Sequence, residues 1–141
     1  MAIGANIFTP HAQRTATTDG KTLWVGSGIA VLNPPFVGGP GADANPGAWR
    51  RDSLEFSIGP AWDSIDVVVP AISLASAENQ GTSINAGWAV DEVRWVRVGS
   101  PGNFRIGLRA RIAVRDTDGV INRVTFQATA IGELPSVVGP T

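Results

Sequence analysis

Two stretches in the C-terminal third alternate between apolar and polar residues, and this pattern constrains the fold more than any other feature. Every even position from Phe104 to Val114 is apolar, and the even positions from Val120 to Ala130 are apolar with the exception of Asn122. A period of two is that of a β-strand with one face in a hydrophobic core. The sequence therefore predicts two long strands, each with one buried face.

The residues between these stretches, Thr117-Asp118-Gly119, favour a tight turn, because Asp and Gly suit turn conformations. Short hairpin loops commonly end in a left-handed residue, and Gly119 stands at that position. Matching the apolar faces of two antiparallel neighbours would then fix their register. The predicted opposed pairs are Val114 with Asn122, Ile112 with Val124, and Ala110 with Phe126. We thus expect a β-hairpin.

The rest of the chain also favours strands. Its 141 residues include 17 Gly and 10 Pro, and 43% are hydrophobic, which is typical of strands joined by tight turns. Pro70 cannot donate a backbone hydrogen bond and predicts a sheet edge or a bulge. Apolar or alternating runs predict further strands at 21–32, 53–58, 64–74, 82–90 and 91–98. The expected fold is all-β, an antiparallel β-sandwich or jelly roll in a single domain.

Three segments lie outside this pattern. Residues 1–20 are polar and weakly patterned, which predicts an N-terminal arm or a short edge strand. Residues 33–49 contain four Pro and four Gly, a composition that argues against a helix or a central strand and predicts a long loop. This loop belongs to a sandwich domain of residues 21–132, and residues 133–141 form a predicted C-terminal tail.

Composition excludes several classes of function. The formal net charge is −1 and only 16% of the residues are charged, so no overall field would attract nucleic acid. The absence of Cys removes disulfides, thiolate metal ligands and thiol nucleophiles. No signal peptide or long apolar run is recognisable. We expect no nucleic-acid partner, metal, cofactor or membrane span, and a cytoplasmic or particle-associated location.

The sequence offers few groups for catalysis. His11 is the only histidine and lies in the weakly patterned arm, and the G-x-S-x-G motif of a serine nucleophile is absent. The carboxylate pairs match neither a calcium loop nor a fixed acid–base pair; they are Asp63/Asp66, Asp91/Glu92 and Asp116/Asp118. We expect a protein without enzymatic activity, and an enzyme that orients its substrate in a β-barrel pocket is the alternative left open.

The aromatic residues include five Trp and no Tyr. Trp24 and Trp95 lie in apolar strand contexts and are expected in the core. The other three border Gly, Pro or Ala in less regular stretches, where an indole can stack on a sugar or contact a protein. The candidate ligand-binding residues are Trp49, Trp62, Trp88 and Asn85.

A row of arginines occupies odd positions of the first alternating stretch. Its members are Arg105, Arg109, Arg111 and Arg115. They face away from the predicted core, so they form either a solvated sheet face or a subunit interface that pairs with acidic residues of a neighbour. The interface hypothesis predicts a homo-oligomer.

From residue 53 to 132 the chain has an alternating strand, the run IDVVVPAISL, a polar loop, the strand GNFRIGLRARIAV, a turn and the closing VTFQATAIG. This order resembles the H-type lectin domain, which ends in a similar strand; Val124, Phe126 and residues 130–132 match it best. The resemblance implies a six-stranded sandwich, a trimer and recognition of galactose-type sugars without catalysis. It supplies no binding residue, because residues 110–112 stand where a sugar-binding Trp is expected.

Two functions follow as hypotheses. The first is a non-catalytic oligomeric β-sandwich that binds carbohydrate. The alternative is a structural subunit of a virion, a phage tail or another large particle, in which the arm, the Pro/Gly loop and the C-terminal tail contact neighbours. The partners would be glycans or neighbouring subunits.

Overall fold

The computed structural model of the protein describes residues 3–38, 49–79, 81, 86–115 and 118–135. These residues form seven β-strands and no helix. The strands are β1 (Ala5–Ala16), β2 (Thr22–Val37), β3 (Trp49–Trp62), β4 (Ser64–Asn79), β5 (Gly87–Val98), β6 (Phe104–Arg115) and β7 (Gly119–Glu133).

Two antiparallel sheets pack face to face and enclose the core. The first has four strands in the order β1-β2-β7-β4, and the second has three in the order β3-β6-β5. The alternating apolar residues point inward: Leu108 and Ile112 of β6 and Val124 of β7 have no exposed surface. The predicted all-β antiparallel sandwich in a single domain is confirmed.

The predicted hairpin is wrong. It required pairs of Val114 with Asn122, Ile112 with Val124, and Ala110 with Phe126, but β6 and β7 lie in different sheets. Ile112 instead lies between Asp52 of β3 and Val90 of β5. Alternation shows which face of a strand is buried and not which strand lies beside it. The apolar faces of β6 and β7 meet across the core, from opposite sheets.

The connection from β6 to β7 differs accordingly. Residues 116 and 117 lie outside the described residues. Gly119 is the first residue of β7 and does not have a left-handed φ. Because the chain passes here from one sheet to the other, it does not need the conformation of a hairpin loop.

The N-terminal segment is more regular than its composition predicts. Residues 5–16 of the predicted arm form β1, the edge strand of the four-stranded sheet, which pairs along its length with β2. Of the two predicted alternatives, the edge strand is the one observed. Burial is sparse on this strand, which explains why its alternation is weak in the sequence.

The Pro/Gly segment begins as strand rather than as loop. β2 continues to Val37 even though Pro34 and Pro35 cannot donate backbone hydrogen bonds. Its pairing with β7 is interrupted across these prolines and resumes at Phe36, which is buried. Residues 39–48 of the predicted loop lie outside the described residues.

Two other strands are longer than predicted. β5 is a single strand where the sequence suggested two, and its pairing with β6 shifts between Asp91 and Arg94. Glu92 sits in this irregularity with a φ of 52°, an uncommon conformation for a residue other than Gly. Similarly, β3 passes through Gly59, where φ is 82°, and resumes pairing at Trp62.

Four strands facing three leave one strand uncovered. β4 packs across the core against β5, so β1 overhangs the other side of the sandwich, beside β3. Ile3 closes one end of this open side, because it pairs with the edge of β3 through hydrogen bonds to Ser53 and Glu55. Beyond Ile3, the space between β1 and β3 stays open.

Candidate functional site

The outward side chains of the four-stranded sheet align in rows that cross all four strands. Four neighbouring rows contain no Asp, Glu, Lys or Arg. They are Gln13–Val25–Thr129–Val69, Thr15–Leu23–Ile131–Val67, His11–Ser27–Gln127–Ala71 and Phe8–Ile29–Thr125–Ser73. We call these rows the uncharged face.

The uncharged face exposes large apolar side chains. Val69 is 65% exposed, Phe8 52%, Val67 46% and Val25 37%. Single exposed apolar residues are ordinary, but several on one contiguous surface indicate a contact region. β4 lies at the edge of the sheet, as Pro70 predicted. It contributes Val67 and Val69, which flank the buried Val68 in the sequence and point away from the core.

The same face carries a hollow. A shallow depression of about 370 Å³ is lined by Ser27, Gly28, Ala71 and Ser73, together with neighbouring side chains of β7. These residues have small side chains or none, so they leave space between the projecting apolar groups. Projections and a hollow thus lie on one surface.

Charged groups lie at the two ends of the uncharged face. At one end the Lys21 amine donates a hydrogen bond to Asp66, which raises the pKa of Lys21 above its ordinary value. At the other end the next row carries the exposed Arg123, which pairs in register with Val31 and Ser76. An uncharged centre with charged groups at its rim matches the usual protein interface, whose core is depleted of charged residues.

The outward face of the three-stranded sheet is different in character. We call it the arginine face. Among the described residues it carries Arg51, Arg94, Arg105, Arg109, Arg111 and Arg115, with the acids Glu55, Asp91 and Glu92. Six arginines against three acids give this face a formal charge of +3, whereas the whole chain has −1.

The arginines predicted as an interface do lie on one face, but the chain supplies partners for them. Arg109 forms an ion pair with Glu55 of β3 over 3.1 Å, and Arg111 approaches Glu92 of β5 at 3.7 Å. The sequence suggested acids of a neighbouring subunit as the partners, because it does not reveal that β3 and β5 flank β6. A subunit interface through the arginine face therefore stays a prediction.

The other two arginines of the predicted row have different contacts. The Arg105 Nη1 atom donates a hydrogen bond to the Gly59 carbonyl over 3.1 Å, so the guanidinium lies against β3. The Arg115 guanidinium lies 5.4 Å from the centre of the Trp49 ring. These four arginines thus share a face without converging on one point.

The predicted ligand-binding residues are not brought together. Trp62 has no exposed surface and belongs to the core, so the idea that it stacks on a ligand is wrong. Trp49 faces outward and lies beside Arg51 and Arg115, whereas Trp88 faces inward on the other side of the same sheet. Asn85 lies outside the described residues.

Two features are absent from the residues that the structure describes. These residues contain no group of three or more His, Cys, Asp or Glu side chains able to hold a metal ion. No helix in the described part of the chain is long and apolar enough to cross a membrane. The surfaces that stand out are the two outward sheet faces and the open side next to β1.

No protein-family model, curated protein sequence or solved structure matched the chain. The resemblance to H-type lectins stays a prediction.

Proposed function

We propose that the protein is a non-catalytic structural subunit that assembles with copies of itself through the uncharged face. The observation that carries this proposal is the alignment of four rows without ionised Asp, Glu, Lys or Arg, among which Val67 and Val69 are 46% and 65% exposed. Apolar surface that is left in water favours association, at about 25 cal/mol for each Å² buried.

A second copy of the chain suits this face because of its charge. In a two-fold symmetric contact the same patch lies on both sides, so a patch with a net charge meets a patch of the same net sign. The uncharged face has no net charge of Asp, Glu, Lys or Arg to bury at its centre. The arginine face would bring two surfaces of net positive charge together, which opposes a symmetric contact there.

The shape and the size of the uncharged face point the same way. Projecting side chains such as Phe8 and Val69 lie beside the hollow lined by Gly28 and Ala71, so one copy offers both parts of a packed contact. Four strands spaced by about 4.8 Å and four rows spaced by about 6.6 Å give a plan area of roughly 500 Å². The relief of the side chains adds to this figure and raises it toward the ~800 Å² per partner of a stable interface.

A large particle needs a second, different contact on each subunit, because a single symmetric face produces only dimers. The arginine face is available for this role, with three positive charges in excess of its acids. A subunit of a virion, a phage tail or a similar particle would use both faces. The carbohydrate hypothesis has no comparable support, since its Trp residues do not share a surface.

The proposal is tested by the mass of the purified protein in solution, measured by light scattering after size-exclusion chromatography. We expect twice the 14.7 kDa of the chain, and we expect Val69→Arg to reduce the mass to that of one chain. The substitution places an unpaired charge in the contact, where burial costs several kcal/mol.

Ser100→Arg is the matched control, because it adds the same charge at an exposed turn outside both faces. It should keep the mass of the dimer. A wild-type chain that stays monomeric at about 100 μM would contradict the proposal, because its free energy of dimerisation would then be weaker than about −5.5 kcal/mol. So would a dimer that survives Val69→Arg.

A further inference from the structure

The open side between β1 and β3 forms a cleft between the two outward sheet faces. It borders the uncharged face at His11 and Ser27 and the arginine face at Arg105. Its volume is about 380 Å³, within the range of small-ligand sites. Apolar side chains from both sheets line it, and two arginines stand at its polar side. We call this cleft the edge cleft; its lining includes Ile7, Trp24, Ile58, Phe126, Arg14 and Arg105.

The overhang of β1 creates the edge cleft. Arg14 pairs in register with Trp24, a residue buried in the core, so Arg14 projects from the inner side of the sheet. In a sandwich with equal sheets, a fourth strand beside β3 would cover that side. Here it is exposed, and Arg14 makes no hydrogen bond or ion pair within the described residues.

The apolar wall depends on close contact between an indole and the backbone. A Cβ atom at Gly26 would come within 2.1 Å of the Trp24 ring, and a Cβ at Gly59 within 3.3 Å. The ring therefore lies flat over β2 and reaches β3, where it separates the cleft from the core. Only glycine at position 26 allows this arrangement.

The polar side of the cleft is basic. Arg105 donates one hydrogen bond to the Gly59 carbonyl, and its guanidinium retains further N–H donors. Arg14 adds a second guanidinium, and no Asp or Glu lines the cleft. Guanidinium groups bind carboxylates, phosphates and sulfates through paired hydrogen bonds.

We propose that the edge cleft binds a small amphiphilic anion, with its apolar body against Trp24, Ile58 and Phe126 and its acidic head between Arg14 and Arg105. Charge complementarity carries the choice of ligand, because an apolar wall alone would accept an uncharged molecule equally well. This site adjoins the uncharged face at His11 and Ser27, but the side chains that hold the ligand lie outside that face, so binding does not depend on self-association.

The test uses two fluorescent probes of similar shape, anilinonaphthalene sulfonate and the uncharged N-phenylnaphthylamine. We expect the sulfonate to bind the full-length protein at least about tenfold more tightly, since a charge-assisted contact accounts for that factor. Arg14→Glu should remove this preference. Arg94→Glu, which makes the same change of charge on the arginine face, should keep it.

Further arms separate the edge cleft from other surfaces. Val69→Arg should leave the binding of the sulfonate unchanged, and Arg105→Gln should weaken it if Arg14→Glu fails to fold. Dodecanoate and dodecyl phosphate should both displace the probe. The one that does so at the lower concentration shows whether the cleft prefers a carboxylate or a phosphate head. Equal affinity for the two probes, displacement by uncharged dodecanol, or an equal loss in Arg94→Glu would overturn the proposal.

Discussion

The two sheets of this protein have similar inner faces and dissimilar outer faces. Inside, β6 and β7 each present a column of fully buried aliphatic side chains, such as Leu108 and Val124. Outside, the sheet of β6 presents arginines and the sheet of β7 presents Thr, Gln and exposed Val. The inner faces determine the fold, whereas the outer faces determine what each sheet can contact.

The outer faces also differ in how they interact with water. Arg109 and Arg111 are well solvated and have acidic neighbours in the same chain, so the arginine face is stable without a partner. Val67 and Val69 are exposed on the opposite side with nothing apolar to cover them in a single chain. Of the two outward sheet faces, the uncharged one exposes more large apolar side chains among the described residues, and this asymmetry is the basis of the proposed assembly.

The largest effect is expected from adjacent residues of β6 that lie on opposite sides of one sheet. Leu108→Ala should lower the free energy of unfolding by about 2–5 kcal/mol, because it leaves a cavity in the core. Arg109→Ala should lower it by less than about 1 kcal/mol, since its ion pair with Glu55 is partly solvated. Urea denaturation measures both, and similar losses would contradict the division into inner and outer faces.

A smaller effect is expected where the arginine face is strained. Glu92 has a φ of 52°, which glycine adopts more readily than residues with a Cβ atom. Glu92→Gly should therefore be more stable than Glu92→Ala by about 1 kcal/mol, while both lose the same exposed contact with Arg111. Thermal unfolding of the two variants checks this difference, and an advantage for Ala would show that the strain is absent.

The smallest effect is expected from salt. Raising NaCl from about 0.1 M to about 1 M shortens the Debye length from about 10 Å to about 3 Å. Association through the uncharged face should change less than about twofold, because no ion pair crosses the centre of that face. Sedimentation velocity at both salt concentrations provides the measurement, and a tenfold weakening would show that ion pairs hold the contact, which contradicts association through the uncharged face.

The sequence predicted the fold class well because alternation reports burial directly. Leu54, Phe56 and Ile58 of β3 alternate as expected and are buried. The partners of each strand were not predictable in the same way. β6 and β7 follow each other with turn residues between them, and only the complete arrangement of seven strands shows that the chain crosses between sheets there.

The surfaces were less predictable than the core. The run Val67-Val68-Val69 did carry a signal, since a continuous apolar run on an edge strand places apolar residues on both of its faces. Trp62 looked like a surface residue because Gly59 and Pro60 seemed to end its strand, but β3 resumes and buries it. The edge cleft had no sequence signal, because it arises from four strands facing three.

The central claim, that two copies meet through the uncharged face, is tested most directly by distances between spin labels. The chain has no Cys, so a single cysteine carries a single label. Ser73→Cys and Ser57→Cys are matched exposed positions, on the uncharged face and the arginine face respectively.

Two sandwiches stacked through their uncharged faces form four layers about 10 Å apart. Double electron–electron resonance should therefore give a distance below about 30 Å between labels at position 73. Labels at position 57 should be farther apart. The two arginine-face sheets lie about 30 Å from each other, and the labels there point outward and add their own length. The reverse order, or no dipolar coupling at position 73, would contradict the account.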